Sequence, residues 1–211
     1  MKIFRNIVTA LSLMMLIISL SVTVTLNFRP LYYFDIGYLH IAETSGVDEE
    51  IIKKNYDLLI DYNSMFNHDT LDFPDFAMSE HGRIHFEEVK DIFVGLQYIG
   101  IIAFILSVLL TIIAVRKKET LCFKLASILT VAVPAVLGLF IALNWEKAFV
   151  TFHHIFFSND YWIFDPQTDA IITVLPDTFF MHCAVMILVL VVLGSILCGL
   201  AARLLGRRIK R

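Results

Sequence analysis

Two short histidine-containing segments carry the side chains best suited to chemistry. The first holds His81, His85 and Glu88, which are spaced by four and three residues. On a helix, these three side chains project from one face. A carboxylate one turn from an imidazole can fix its tautomer and raise its basicity, so the segment is suited to general acid or base work. A solvated helix face with a chance histidine pair has the same pattern.

The second segment, residues 152–169, is rich in aromatic side chains and contains the adjacent pair His153 and His154. Aromatic residues at a membrane–water interface form an anchoring belt, which accounts for most of them. A belt does not account for the three aspartates in the same segment, Asp160, Asp165 and Asp169. Carboxylates at headgroup depth must find hydrogen-bond donors or remain in water. We therefore expect a compact polar network in this segment.

The two segments support two kinds of catalysis. In one, a pair of histidines does acid–base chemistry, in which one removes a proton from a nucleophile and the other protonates the leaving oxygen. In the other, a zinc or iron ion activates water, held by His81, His85, Glu88 and His153 or His154. The sequence has neither the Gly-x-Ser-x-Gly elbow of serine hydrolases nor the His-Glu-x-x-His motif of zinc proteases.

The elements that position these side chains are predicted to lie in a membrane. Of the 211 residues, 58% are hydrophobic, above the 45–50% or so of soluble domains. Four apolar blocks are long enough to cross a hydrocarbon core, at residues 7–26, 92–115, 121–143 and 179–202. We interpret the first block as a retained signal anchor because it is longer than a cleavable signal core. The fold class is therefore an all-α membrane protein, with residues 1–211 forming a single membrane domain.

The distribution of cations predicts the orientation of the four spans. Basic residues precede the first span, fill the turn between the second and third, and follow the fourth. The positive-inside rule makes that side cytoplasmic, with both termini on it. Residues 27–91 and 144–178 then form a small, mainly helical extracellular cap, which contains or adjoins all seven histidines. The net charge is −3, and the chain offers no basic patch for binding nucleic acid.

Local patterns predict two helices in the first cap segment. Apolar residues recur at helical spacing after the acidic start at Ser45–Glu50, forming a stripe at Ile52, Tyr56, Leu59, Tyr62 and Phe66. Ser79 is a predicted N-cap for a second helix, which continues into the second span. The dipeptides at 165–166 and 175–176 both end in proline and predict turns in the second cap segment.

The second histidine segment resembles the hallmark motif of a family of four-span membrane proteins from Gram-positive bacteria. The pattern is Phe152-His153-x-Ile155-Phe156-Phe157-x-Asn159-Asp160-x-Trp162-x-x-Asp165-Pro166-x-x-Asp169, followed by Ile171-Ile172 and Leu175-Pro176. Upstream, His85-x-x-Glu88-Val89 resembles the family's His-Met-x-Asp-Val block, from which Phe86 and Glu88 depart conservatively. The family includes the lipoprotein intramolecular transacylase (Lit), and the resemblance covers the whole chain in span order.

The resemblance implies an acyltransferase. Its reaction moves the sn-2 acyl chain of a diacylglyceryl lipoprotein to the α-amino group of the N-terminal cysteine, giving lyso-form lipoprotein. Donor and acceptor belong to one substrate, so no acyl-enzyme nucleophile is needed. The resemblance also implies that His85 and His153 divide the base and acid roles, in either order. His153 is preferred to His154 because the shared histidine of the motif falls there.

By analogy with the motif, Glu88 or an aspartate orients one imidazole, and Asn159 or Trp162 donates to the developing oxyanion. The aspartates in question, candidates for substrate, oxyanion or orienting contacts, are Asp160, Asp165 and Asp169. We expect no bound metal and no cofactor. The expected partners are diacylglyceryl-modified bacterial lipoproteins and membrane lipids, at the extracellular interface of the plasma membrane.

Two other functions remain open at this point. One is a metal-dependent membrane lipid hydrolase that uses the same histidines. The other is a non-catalytic membrane protein, such as a transporter or a partner in a signalling complex. A transporter would more often place polar residues near the bilayer midplane, and the four predicted spans have almost none.

Overall fold

A computed structural model describes residues 2–210 of the chain. This part of the chain is helical and contains no strand. The helices are α1 Lys2–Asn27, α2 Arg29–Tyr38, α3 Ile41–Ser45, α4 Glu49–Tyr62, α5 Glu80–Arg116, α6 Leu121–Leu143, α7 Trp145–Phe156 and α8 Asp177–Lys210, with a 3-10 helix at Ala170–Val174 between α7 and α8.

The four predicted spans are confirmed as the long apolar helices α1, α5, α6 and α8. Each is long and apolar enough to cross a membrane. Helix α5 begins well before its apolar block because Ser79 caps it, with the Gly82 N–H donating to the Ser79 hydroxyl at 2.9 Å. The helix that carries the first histidine segment is therefore continuous with the second span, as predicted.

Contacts divide the chain into two compact units. The first, here called the span unit, comprises residues up to Thr23, Leu96–Leu143 and residues from Val185 onward. The second, here called the histidine unit, comprises Val24–Gly95 and Asn144–Ala184 and contains all seven histidines. Each unit is built from segments that are distant in sequence.

Small and hydroxyl-bearing residues pack the helices of the span unit. The Ser12 hydroxyl donates to the Ala103 carbonyl at 3.1 Å and lies 2.8 Å from the Ser107 hydroxyl. A Cβ atom on Gly194 would lie only 2.5 Å from the side chain of Ile17. Close backbone approach and hydroxyl hydrogen bonds are the usual basis of helix association in lipid, where apolar burial gives no driving force.

At the cation-rich end of the span unit, the start of α1 is bonded to the turn between α5 and α6. Arg5 forms an ion pair with the buried carboxylate of Glu119. The amide of Asn6 donates to the same carboxylate at 3.0 Å and accepts from the Cys122 N–H at 3.0 Å. The buried charge of Glu119 is therefore compensated and hydrogen-bonded, as a buried charge must be.

An aromatic core holds the histidine unit together. Tyr32 of α2 stacks on Tyr56 of α4 with ring centroids 3.8 Å apart, and Phe179 packs edge-on against both. The buried Tyr32 hydroxyl donates to the Val174 carbonyl at 2.6 Å. These contacts bring together segments from both halves of the unit.

Helix α4 confirms most of the predicted apolar stripe and corrects its C-terminal end. Ile52, Tyr56, Leu59 and Tyr62 are buried. Phe66 was wrongly included, because α4 ends at Tyr62 and the Phe66 side chain is 81% exposed. The helix is capped by Asp48, whose carboxylate accepts from the Glu50 N–H at 2.8 Å.

Candidate active site

Helix α5 places His85 inside the histidine unit. The residue lies in the second turn of the helix, before the apolar part of the span, and its side chain is buried. Phe157 packs edge-on against its ring with centroids 4.7 Å apart, and Phe164 does so at 5.4 Å. His85 is therefore enclosed by aromatic side chains rather than by water.

Helix α7 places His153 beside it. His153 is buried near the C-terminus of the helix, and its Nδ1 lies 2.8 Å from the Phe149 carbonyl oxygen. Because a carbonyl only accepts, Nδ1 carries the proton, and in the neutral ring the lone pair is on Nε2. The backbone of the preceding turn thus fixes the tautomer of His153 as one that can act as a base.

The two imidazoles lie close together within the histidine unit. Their ring centroids are 6.0 Å apart. Trp162 stacks on His153 at 4.5 Å with an angle of 27° between the ring planes. A separation of this size leaves the rings out of direct stacking contact but close enough to act on one reacting group.

Burial keeps both histidines neutral. It lowers the pKa of His85 to about 4, and the neighbouring His153 contributes in the same direction. It also lowers the pKa of His153, although the Phe149 carbonyl and the charge of Asp177 oppose that shift. The Phe149 carbonyl and Asp177 thus favour the charged form of His153, and no such favourable group acts on the pKa of His85.

Three buried polar atoms of the site have no hydrogen-bond partner among the described residues. They are Nδ1 of His85, Nε1 of Trp162 and Oε2 of Glu88. Native proteins satisfy almost all buried polar groups, so unsatisfied atoms call for an explanation. All three belong to residues that the sequence had singled out, and the group includes a donor, an acceptor and an imidazole nitrogen.

Glu88 contacts an amide rather than an imidazole. Its Oε1 accepts from the Asn159 side-chain amide at 2.8 Å, and the amide oxygen of Asn159 accepts from the Tyr161 N–H at 3.0 Å. The sequence predicted that Glu88 or an aspartate orients a histidine. The observed partner of Glu88 is instead the Asn159 side chain. The acceptor that orients His153 is the backbone carbonyl of Phe149.

The three aspartates have different surroundings. Asp160 and Asp165 are exposed and shape turns: the Asp160 carbonyl accepts from Ile163, and the Asp165 carboxylate accepts from Gln167 at 2.9 Å. These two contribute no observed contact to the histidine pair. Asp169 is buried instead.

Asp169 joins the start of α5 to the end of the aromatic segment. Its Oδ1 accepts from the Ser79 N–H at 2.8 Å, and its Oδ2 accepts from the Thr168 hydroxyl at 2.7 Å. A Cβ atom on Gly82 would lie 2.0 Å from Oδ1. The absence of a side chain at position 82 is thus what lets the carboxylate reach the helix start.

The remaining histidines lie outside the pair. His81 stacks on Tyr161 with ring centroids 4.1 Å apart, and His154 is exposed. His182 contacts the buried carboxylate of Asp35 at 2.9 Å. Within the described residues, no three His, Cys, Asp or Glu side chains converge as metal ligands.

Sequence reasoning missed the parts of the site that are not reactive side chains. The Phe149 carbonyl is a backbone group, detectable only as the residue one turn before His153. Phe164, which packs on His85, was counted only as part of an aromatic belt. Gly82 stood between two noted histidines, and a glycine inside a helical pattern was the signal that could have identified it.

The chain is similar to a known family and to solved structures of one of its members. Residues 7–180 match the family model described as lipoprotein intramolecular transacylase Lit. The chain is similar to the solved structure of the membrane integral lipoprotein intramolecular transacylase Lit from Bacillus cereus, with 40% identity and a TM-score of 0.96. That match covers 98% of this chain and 96% of the other.

Two further structures of the Bacillus cereus protein carry a histidine replaced by arginine or by alanine. Each is 40% identical to this chain, with a TM-score of 0.89. Both matches cover 98% of this chain, with 92% and 94% of the respective other chain. No curated protein matches the sequence.

Proposed function

Because this chain belongs to the lipoprotein intramolecular transacylase family, we propose that it transfers the sn-2 acyl chain of a diacylglyceryl lipoprotein to the amine of its N-terminal cysteine. Membership makes the chain a membrane-integral acyltransferase.

The observation that carries the proposal is the pair of neutral, buried imidazoles with unsatisfied polar atoms beside them. His85 and His153 lie 6.0 Å apart by ring centroids. A neutral imidazole can accept a proton from an amine, whereas an imidazolium cannot. The aromatic surroundings exclude water, which would otherwise hydrolyse the ester.

The reaction has a simple balance. The cysteine amine nitrogen attacks the sn-2 ester carbon, a C–N bond forms, and the C–O bond to glycerol breaks. The amine loses one proton and the glycerol oxygen gains one, so no water, metal or redox partner is consumed. Amine and ester belong to one molecule, so binding need only align them.

We assign the base to His153. Its Nδ1 proton is held by the Phe149 carbonyl, so Nε2 is free to take the amine proton. The resulting imidazolium is stabilised by the same carbonyl, as in other histidine bases oriented by an acceptor.

His85 then delivers the proton to glycerol. It releases the proton from one ring nitrogen while the other takes up the proton held on His153, so that His85 is neutral before and after transfer. A pKa of about 4 suits a ring that must not retain the proton. The Trp162 indole N–H, which has no partner, donates to the oxyanion of the tetrahedral intermediate.

Helix α7 supports a location at the membrane surface. Its buried side carries His153, whereas Phe152, Ile155 and Phe156 are 47%, 71% and 53% exposed. Exposed apolar side chains on an amphipathic helix fit the boundary of headgroups and acyl chains. With both termini cytoplasmic by the positive-inside rule, this boundary is the extracellular one.

The orientation is tested by fusing a reporter that is active only in the cytoplasm after Arg211. We expect the fused reporter to be active, and an inactive reporter would contradict the orientation.

The test is mass spectrometry of lipoprotein N-terminal peptides from cells with and without the gene. We expect N-acylated lyso-form peptides only when the gene is present. An acyl chain that stays on glycerol in both strains would contradict the proposal. Purified enzyme treated with a chelator is expected to keep full activity, whereas loss that zinc or iron restores would favour a metal-dependent hydrolase instead.

The pH profile tests the neutral histidine pair. The substrate amine has an ordinary pKa of about 7.7–8.0, so the logarithm of the rate should fall by about one per pH unit below it. Burial lowers the pKa of both histidines, so protonation of the pair should steepen the fall only below their ordinary value of about 6.5. Single-turnover rates between pH 4 and 9 or so measure this. A steep limb already above that value would show that the pair is not desolvated.

A further inference from the structure

A cavity opens at the cation-rich end of the span unit, apart from the histidine site. Its volume is ≈ 530 Å³, and it lies between the C-terminal part of α5, the start of α6 and the C-terminal part of α8. Pockets for small ligands usually have about 300–1,000 Å³. A smaller cavity of ≈ 190 Å³ adjoins it and shares Val115, Leu205 and Arg208 with it.

The cavity is apolar inside and basic at its edge. Apolar side chains from all three helices line it, including Val115, Phe123 and Leu204. Arg207 and Arg208 line the larger cavity, and Lys118 and Arg208 line the smaller one. An apolar groove with cations at one end matches the shape of a lipid whose headgroup is negative.

These cations are available for a ligand. Among the ion pairs of the described residues, none includes Lys118, Arg207 or Arg208. Glu119 also lines the smaller cavity, but its carboxylate is already bonded to Arg5 and Asn6. The carboxylate at the edge is thus compensated, and the three cations give the edge a net positive charge.

We propose that this cavity binds one phospholipid with an anionic headgroup. Its phosphate lies against Lys118 and Arg208, and one acyl chain follows the apolar lining past Phe123 and Leu204. Leu204 is 60% exposed and Val115 is 43% exposed, which suits side chains that contact a lipid rather than other helices. A zwitterionic lipid fits less well because its own cation would face the same basic residues.

A free phosphate ion is a poorer occupant than a lipid. It would use only the basic edge and would leave the apolar lining uncovered. A lipid would use both the basic edge and the apolar lining. The site does not depend on the acyl-transfer proposal, because it involves none of the residues around His85 and His153.

The experiment is native mass spectrometry of the full chain released from detergent micelles, with phosphatidylglycerol, phosphatidylcholine or inorganic phosphate added. We expect the wild-type chain to retain phosphatidylglycerol in preference to phosphatidylcholine. The variant K118Q/R208Q should retain it about tenfold less, because each cation near an anionic lipid contributes a several-fold effect. Thermal unfolding without added lipid should be the same for variant and wild type, since both side chains are exposed.

The matched control is K117Q/R203Q. It also removes one cation from the turn and one from α8, but neither residue lines either of these two cavities. Retention within about twofold of wild type is expected for it, since only general charge is lost. Equal loss in both variants, equal retention of the two lipids, or displacement of phosphatidylglycerol by millimolar phosphate would each overturn the site.

Discussion

Replacing His153 by alanine is expected to lower the rate of acyl transfer by roughly 10²–10⁴, the usual contribution of a general acid or base. The substitution removes an imidazole whose tautomer is fixed by a neighbouring carbonyl, that of Phe149. His85→Ala should have an effect of the same order, because the proton would then have no route to the glycerol oxygen. Conversion of a synthetic diacylglyceryl lipopeptide by purified enzyme in micelles measures both.

His154→Ala is the matched control for His153→Ala. It removes an adjacent imidazole from the same helix, but that imidazole is exposed. The control should keep its rate within about threefold of wild type, as expected for a surface substitution. A double variant lacking His85 and His153 should be little slower than either single variant, because residues that act as a unit are not additive. Multiplicative losses would mean that the two histidines act independently.

Gly82→Ala is expected to destabilise the histidine unit by about 1–3 kcal/mol, the range for added groups in a packed interior. The new methyl would meet the Asp169 carboxylate at 2.0 Å and would also lie 3.4 Å from the Phe164 ring. The displaced carboxylate would release the Ser79 N–H, so activity should fall together with the melting temperature. Thermal unfolding and lipopeptide turnover measure the two effects.

The cost of Gly82→Ala should depend on Asp169. In an Asp169→Ala background the same change should cost less, because the oxygen that the methyl meets is gone; a double-mutant cycle gives the coupling. Gly37→Ala is the control, since a Cβ there meets nothing within 4 Å. It should be neutral or slightly stabilising, as alanine favours helix. An equal cost at both glycines would show that the contact with Asp169 is not the cause.

Hydropathy and local capping patterns were enough to predict the helical architecture. Apolar blocks of spanning length are a direct consequence of the solvent that the helices must face, so α1, α5, α6 and α8 could be located from composition alone. The cap of α5 at Ser79 was also visible, because capping chemistry is local. The stripe in α4 was followed one turn too far, since nothing in the apolar pattern distinguishes Phe66 from the residues before it.

The contacts within the site were less accessible to sequence reasoning. The spacing of His81, His85 and Glu88 fixes a shared helix face but not what lies opposite that face. The partner of His153 is a backbone atom, and Glu88 contacts Asn159, which is 71 positions away in the sequence. Three aspartates looked equivalent in a motif, yet two form exposed turns and one is buried. Such differences arise from tertiary packing, which residue types alone do not encode.

The hydrogen bond between Asp169 and Ser79 joins positions 90 apart in the chain. A ribosome that has made the first three spans has already produced His85, but not the segment that encloses it. If His85 and His153 act together as proposed, the nascent chain lacks one member of the pair until the segment after the third span has been made. On that proposal, activity toward ester bonds requires residues 144–169, all of which follow the third span, so the order of synthesis delays activity until that segment has folded against α5.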